Sequence, residues 1–271
     1  HIPRMLSPTR FPQARKVSSM QIVRDIQDWL NCKQPAGRGN SRGFVPTMGA
    51  LHKGHLSLVQ ESLKGNEETV VSIFVNPTQF NNPADLHGYP QTLEDDIQLL
   101  DQAGVDVLLL PDFDQLYPTG YRYKISETIL SNQLCGASRP GHFEGVLTIV
   151  MKLLNLVRAD VAYFGEKDYQ QYLLIRDMAR EFFITTTIVS CPTIREPDGL
   201  AYSSRNALLE QEERLMAPQF HTLLSGENSL SIISDKLTQA GFLVDYIHEI
   251  DGRRFGAVSL GKVRLIDNVK I

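Results

Sequence analysis

The chain has 271 residues, 42% hydrophobic and 21% charged, which suits a water-soluble fold of one large domain or a large and a small one. Its formal net charge of −4 excludes an overall basic field of the kind that binds nucleic acid or an anionic membrane. Three scattered cysteines, Cys32, Cys135 and Cys191, form no CxxC or Cys/His cluster, so neither structural zinc nor a disulfide framework is expected, and reduced thiols in the cytoplasm are. Apolar runs such as Val105–Leu110 are far too short to span a bilayer. Residues 1–19 are polar and lack the apolar centre of a signal peptide; they read as an N-terminal extension or an expression remnant.

Met20–Leu30 carries Ile22, Val23, Ile26, Trp29 and Leu30 at helical spacing, predicting a helix. A Gly/Pro/Asn-rich break over Gln34–Gly43 leads into a short strand, GFVPT. His55–Lys64 then predicts a helix with Leu56, Val59 and Leu63 on one stripe. Thr69–Val75 is β-branched and almost wholly apolar, the pattern of a strand buried on both faces of a parallel sheet. The alternation continues with helices over Leu93–Ala103, Gly145–Val157 and Asp168–Glu181. Strands are predicted over Val105–Leu110, Val161–Phe164 and Thr185–Ser190.

This order predicts an α/β fold, a Rossmann-like parallel sheet with helices on both faces. Its ligands belong beyond the carboxyl ends of the strands. From Pro192 the pattern changes to a polar turn, REPDGLAYSSRN, a helical stretch over Ala207–Leu224, and a tail ending in GKVRLIDN. The expected division is a nucleotide-binding domain over 20–191 and a small α+β C-terminal lid domain over 192–271.

Phe44–His55, FVPTMGALHKGH, follows a predicted strand and enters a predicted helix, so its backbone amides can receive phosphate. His52 and His55 sit three apart, with Gly54 between them leaving room for a ligand. Two imidazoles so placed can donate to phosphate oxygens as charge builds on leaving pyrophosphate. Unrelated histidines, or a metal pair, could give the same spacing. The metal reading lacks a third nearby ligand and the Glu of HExxH. A Walker loop fails because GxxxxGK[ST] is absent. Strand, glycine-bearing turn, HxGH and helix in that order favour the HxGH signature of the nucleotidyltransferase superfamily.

Together with FVNPTQF (Phe74–Phe80), SRPGHFEGVLT (Ser138–Thr148), FGEKDYQQ (Phe164–Gln171), DGLAYSSRN (Asp198–Asn206) and GKVRLIDN (Gly261–Asn268), this segment resembles the pantothenate synthetases, or pantoate–β-alanine ligases. The resemblance runs in order from about Met20 to the last residues. It implies a cytoplasmic homodimer that uses ATP and magnesium to adenylate pantoate, and then couples it to β-alanine. It implies an ATP site made of Met48, Gly49, Ala50, Leu51, His52, Lys53, Gly54 and His55. Gly165, Glu166, Lys167, Asp168, Ile194, Tyr202, Ser203, Ser204 and Arg205 complete that site. His52, His55, Lys167, Ser203 and Arg205 are its expected catalytic groups. Gln79 is expected to hold pantoate near the β-alanine site, and Gln171 to hold pantoate. Asp95 and Asp96 stand where the family has magnesium, although an acidic pair at a helix start also complements the helix dipole. Arg139, Gly141 and His142 are candidates for the substrate side. Two departures from the family pattern are Tyr202, where Met or another apolar residue is usual, and a shortened stretch between Ile250 and Gly261.

Overall fold

The computed structural model describes residues 19–31 and 41–271. Cys32, residues 1–18 and residues 34–40 of the Gly/Pro/Asn-rich break lie outside the described residues. Six apolar runs pair in parallel: β1 (Gln21–Val23), β2 (Arg42–Thr47), β3 (Glu68–Ile73), β4 (Val107–Leu109), β5 (Val161–Gly165) and β6 (Thr187–Cys191), in the order β1-β4-β3-β2-β5-β6. Thr69 to Ile73 are all buried, as expected of a central strand covered on both faces. Alternate residues enter opposite layers, because successive side chains of a strand point to opposite faces. Phe44, Val70 and Phe164 pack in one core with Val150, Leu154 and Ile175, while Val45, Val71 and Tyr163 pack in another with Val59 and Leu100.

The helices of this part are α1 (Ile26–Asn31), α2 (Lys53–Gly65), α3 (Pro83–His87), α4 (Leu93–Ala103), α5 (Phe113–Leu116), α6 (Cys135–Ser138), α7 (His142–Val157) and α8 (Tyr169–Glu181). Helix α4 stops at Gly104, whose φ of 85° is the left-handed C-cap that glycine adopts without penalty. The predicted helix over Met20–Leu30 is corrected: Gln21–Val23 pairs with Val107–Leu109 as an edge strand, and only Ile26–Asn31 is helical. Burial of Val23 and the ladder hydrogen bonds outweigh the helical spacing, and Ile22 and Leu30 are left exposed. The strand predicted over Val105–Leu110 shrinks to three residues, and α7 starts three residues earlier than predicted, after Gly141.

Beyond β6, the helical stretch predicted over Ala207–Leu224 is broken. It comprises a 3-10 turn over Ser204–Leu208, α9 (Gln211–Met216) and α10 (Pro218–Leu224), with Pro218 opening the last because a first-turn residue needs no amide hydrogen. Then come α11 (Leu230–Gln239) and an antiparallel sheet of β7 (Leu243–Ile250), β8 (Arg253–Leu260) and β9 (Val263–Lys270). Phe220, Leu224, Ile233 and Leu237 bury against Val258 and Leu265 of this sheet. The shortened Ile250–Gly261 stretch is a hairpin: Asp251 and Gly252 both have positive φ, 49° and 71°, between paired Ile250 and Arg253, the two-residue turn that Asp-Gly favours.

Helix α7 reaches the β3 loop through Gly145, where an added Cβ would lie 2.5 Å from the Thr78 carbonyl oxygen and 2.6 Å from the Gln79 nitrogen. Both are backbone atoms, so neither can rotate away. Gly145→Ala is expected to cost about 1–3 kcal/mol of stability, as overpacking does; an unchanged urea midpoint would mean that the Thr78–Gln79 turn moves freely.

Candidate active site

Strands β2 and β5 are neighbours at the centre of the sheet, and β2 passes to β3 on one side and lies against β5 on the other. At such a switch point the loops leave in opposite directions and open a crevice. A cavity of about 240 Å³ lies there, lined from β2 and α2 by Met48, His52 and His55, and from the β5 turn by Gly165, Lys167 and Asp168. Gln79, Gln171, Ile194, Tyr202, Ser203, Ser204 and Arg205 line it as well, as do Arg139 and His142. Gly49, Ala50, Leu51, Lys53 and Glu166, expected at the nucleotide, are not among its lining residues.

The β2–α2 loop turns through Gly49 and Ala50 with φ of 78° and 49°. The buried Asp96 carboxylate holds this left-handed pair, accepting from the Ala50 and Leu51 amides at 2.8 Å each and from the Thr92 hydroxyl at 3.2 Å. Asp96 therefore anchors the loop, with both oxygens engaged, and Asp95 is exposed outside the cavity. Among the described residues no group of three or more His, Cys, Asp or Glu could hold an ion, whereas magnesium that arrives with phosphates needs only one or two carboxylates.

Helix α2 begins with a capping box made of histidines. The Gly54 amide donates to His52 Nδ1 at 3.1 Å, and the His52 amide donates to His55 Nδ1 at 3.4 Å. Because each Nδ1 accepts, each proton resides on Nε2. Burial lowers the His52 pKa to about 4, with help from the Lys167 charge against opposing Asp168 and Glu196. Burial, His52 and Lys167 lower His55 to about 3. Both rings are thus neutral Nε2–H donors, their centroids 4.0 Å apart. Gly54 lines the cavity as well. An added Cβ would meet the His52 ring at 2.9 Å, so the glycine makes space for the capping imidazole itself.

Tyr202 lies on the outer side of this pair, its ring stacked on His52 at 6.0 Å between centroids, with the Lys53 ammonium 5.9 Å from the same ring. The unusual residue at this position is a side-chain contact to the first histidine. Its amide donates to the Ile194 carbonyl at 3.0 Å, closing a hairpin in which Arg195 bridges Ala201. Ser204 donates to the Ala50 carbonyl at 3.0 Å, tying the SSR segment to the HKGH loop. Ser203 Oγ caps the following 3-10 turn by accepting from the Arg205 amide. Arg205 grips Asp85 of α3 with two bonds of 3.1 and 2.9 Å, a partner that the sequence did not suggest.

Gln79 is oriented by Asn76. The Asn76 carbonyl oxygen accepts from Thr78 and Tyr117, so its amide nitrogen faces Gln79 Oε1 at 3.0 Å and the Gly145 carbonyl at 3.2 Å. That leaves Gln79 Nε2 as a donor beside Met48 Sδ, 3.1 Å away. Sequence reasoning passed over Asn76, whose signal was a buried polar residue following an apolar strand. His142 is similarly fixed. Arg139 can only donate to its Nε2, at 3.3 Å, so Nδ1–H donates to the Gln79 carbonyl at 2.9 Å. Burial and Arg139 bring its pKa down to about 3. Lys167 is mostly buried, 3.6 Å from the half-exposed Asp168 carboxylate.

A family profile described as Pantoate-beta-alanine ligase matches residues 18–270. A pantothenate synthetase of Legionella pneumophila is 49% identical over 249 residues, covering 92% of this chain and 99% of its own. One of Bdellovibrio bacteriovorus is 52% identical over 229 residues, 84% of this chain and 91% of its own. The crystal structure of pantoate-beta-alanine ligase from Francisella tularensis, complexed with beta-gamma ATP and beta-alanine, superposes with a TM-score of 0.90 at 43% identity, over 93% of this chain and 98% of that one.

Two outcomes follow from the site. Unfolded histidines take up protons below about pH 6.5, whereas folded His52, His55 and His142 stay neutral until about 4, 3 and 3. Stability should therefore fall as pH drops from about 6.5 towards 4, by up to about 1.4 kcal/mol per pH unit for each ring. Urea unfolding at stepped pH measures it, and a level profile would mean that the rings are charged in the fold. Asp96→Ala should cost about 1–3 kcal/mol through its orphaned amides and weaken ATP binding to an extent that added magnesium does not restore; rescue by magnesium would return Asp96 to the metal.

Proposed function

We infer the function of this chain from a plain premise: it belongs to the pantoate–β-alanine ligase family. It condenses pantoate with β-alanine at the expense of ATP, giving pantothenate, AMP and pyrophosphate through a pantoyl adenylate. The observation that carries this reading is convergence: two neutral Nε2–H imidazoles, Lys167, the SSR segment and two glutamines line one cavity at the β2–β5 crevice.

In the first step a pantoate carboxylate oxygen attacks the α-phosphorus, and the bond from that phosphorus to the bridging oxygen breaks, releasing pyrophosphate. Negative charge grows on the leaving phosphates, where donors that need no reorganisation stabilise the transition state most. His52 and His55 supply such donors without needing to be charged, and Lys167 adds a compact positive charge. Ser203, Ser204 and Arg205 grip the terminal phosphates, Arg205 after giving up Asp85. Gly165 and Asp168 serve the ribose, and Ile194 meets adenine through its backbone. Gln79 Nε2 and Gln171 hold pantoate. In the second step the β-alanine nitrogen attacks the acyl carbon, the acyl–oxygen bond breaks, AMP leaves with the electron pair, and the new ammonium loses a proton.

Magnesium bound with the triphosphate would screen its charge. Asp168, the carboxylate lining the cavity, would be the side chain to hold it. Gly49, Ala50, Leu51, Lys53 and Glu166 act behind the nucleotide, shaping the loops that touch it. Residues 192–271 form the lid over the 20–191 domain, a reading supported by the bond between Ser204 and Ala50. The family resemblance supports a cytoplasmic homodimer, which light scattering tests; among the described residues no helix is long and apolar enough to cross a membrane.

The test mixes the protein with ATP, magnesium, pantoate and β-alanine and follows AMP and pantothenate. AMP release no faster with pantoate than without it would sink the reading. His55→Ala and Lys167→Ala should each slow adenylation by about 100-fold or more, the usual loss of a preorganised donor, and near-normal turnover would reduce either residue to packing.

A further inference from the structure

We propose that Asn268 is the positioning residue for Lys167, setting from the C-terminal sheet where the lysine meets the phosphates. The proposal rests on the ligase reading above. Lys167 sits on a three-residue 3-10 turn, Glu166–Asp168, between β5 and α8. A turn this short makes few internal hydrogen bonds, so its carbonyls need partners from elsewhere. The buried amide of Asn268, on β9, supplies them: Nδ2 donates to the Glu166 carbonyl at 2.8 Å and to the Lys167 carbonyl at 2.9 Å.

The orientation of that amide is fixed from behind. Asn268 Oδ1 accepts from the guanidinium of buried Arg253, which can only donate, so the amide nitrogen must face the turn. Arg253 also pairs with the Glu166 carboxylate at 3.3 Å and lies 3.6 Å from the centroid of the Tyr169 ring, at the start of α8. Both ends of the lysine turn are thus held by the same two residues of the other sheet. The neighbouring Asp267 accepts two bonds from Arg195, of 2.6 and 2.9 Å, at the base of the hairpin that leads to Tyr202–Arg205. One dipeptide of β9 therefore braces two parts of the phosphate site, and Asn268 is the one that touches the backbone of Lys167. A lysine side chain is long and flexible, so its reach depends on where its backbone is held, and displacement of about 1 Å can cost about 100-fold in rate.

The test is a double-mutant cycle on pantoyl adenylate formation, read as single-turnover AMP-moiety transfer with enzyme in excess over ATP. Asn268→Ala is expected to lower the rate by about 10–100-fold while the KM for β-alanine in the full reaction stays unchanged. In a Lys167→Ala background the same change should cost nothing further, because residues that act as a unit are not additive. Losses that multiply in the double variant would overturn the proposal and leave Asn268 as general packing. Asn268→Asp keeps the shape and the Arg253 contact but removes both donors, and it serves the same cycle if the alanine variant does not fold. A wild-type chain that forms no adenylate overturns the ligase reading itself; an active wild-type chain with multiplying losses overturns the positioning role alone.

Discussion

The start of helix α2 is the constraint to which the rest of the site conforms. Helix starts present amides with no partner inside the helix, and Ser, Thr, Asp or Asn usually caps them. Here imidazole nitrogens do so. Using Nδ1 as the acceptor forces each proton onto Nε2, and burial forbids a second proton at ordinary pH. The Nε2–H donors that line the cavity therefore arise from the same bonds that cap the helix. The cap also dictates its neighbours: glycine at 54, where the His52 ring crowds any Cβ, and a buried Asp96 holding the left-handed turn that delivers the chain to His52.

The sheet order brings the other parts to this helix start. With β5 beside β2, the turn carrying Lys167 emerges next to the histidines. The SSR segment comes from the far side, joined to the HKGH loop by Ser204. On a chain of net charge −4, the cavity nonetheless gathers Lys167, Arg139 and Arg205, with Asp168 its lining carboxylate and Asp85 the partner of Arg205. Keeping the histidines neutral limits how much positive charge must be held together there, since each additional buried cation would raise the cost of the others.

The alternation of strand and helix was legible because β3 and β5 are buried on both faces and read as continuous apolar runs. The HKGH loop was legible because its order of strand, glycine turn and helix is distinctive. What stayed hidden depended on partners distant in the chain. Met20–Leu30 satisfies a helical spacing, and only the pairing of Gln21–Val23 with β4 reveals the strand. Asp96 looked like a metal ligand or a dipole partner, since nothing local announces amides 45 and 46 residues away. Asp85 gave no hint of Arg205, 120 residues further on. Gly54 was legible as a place of close approach, but not that the His52 ring approaches it from the cap. The family motif GKVRLIDN marked a segment without saying what its side chains hold.

The placement of Asp267 and Asn268 on β9 also bears on how the enzyme comes into being on the ribosome. Every strand of the parallel sheet precedes β7 in chain order, so a nascent chain can build that sheet, cap α2 and bury its apolar layers while β9 is still being made. Domains generally fold as units in the order of synthesis. Such an intermediate holds the histidines, but the carbonyls of Glu166 and Lys167 still lack their partner. The turn that carries Lys167 is therefore braced only by a late pairing of β9 on β8, and the growing polypeptide acquires a fold before that wall of the cavity is held.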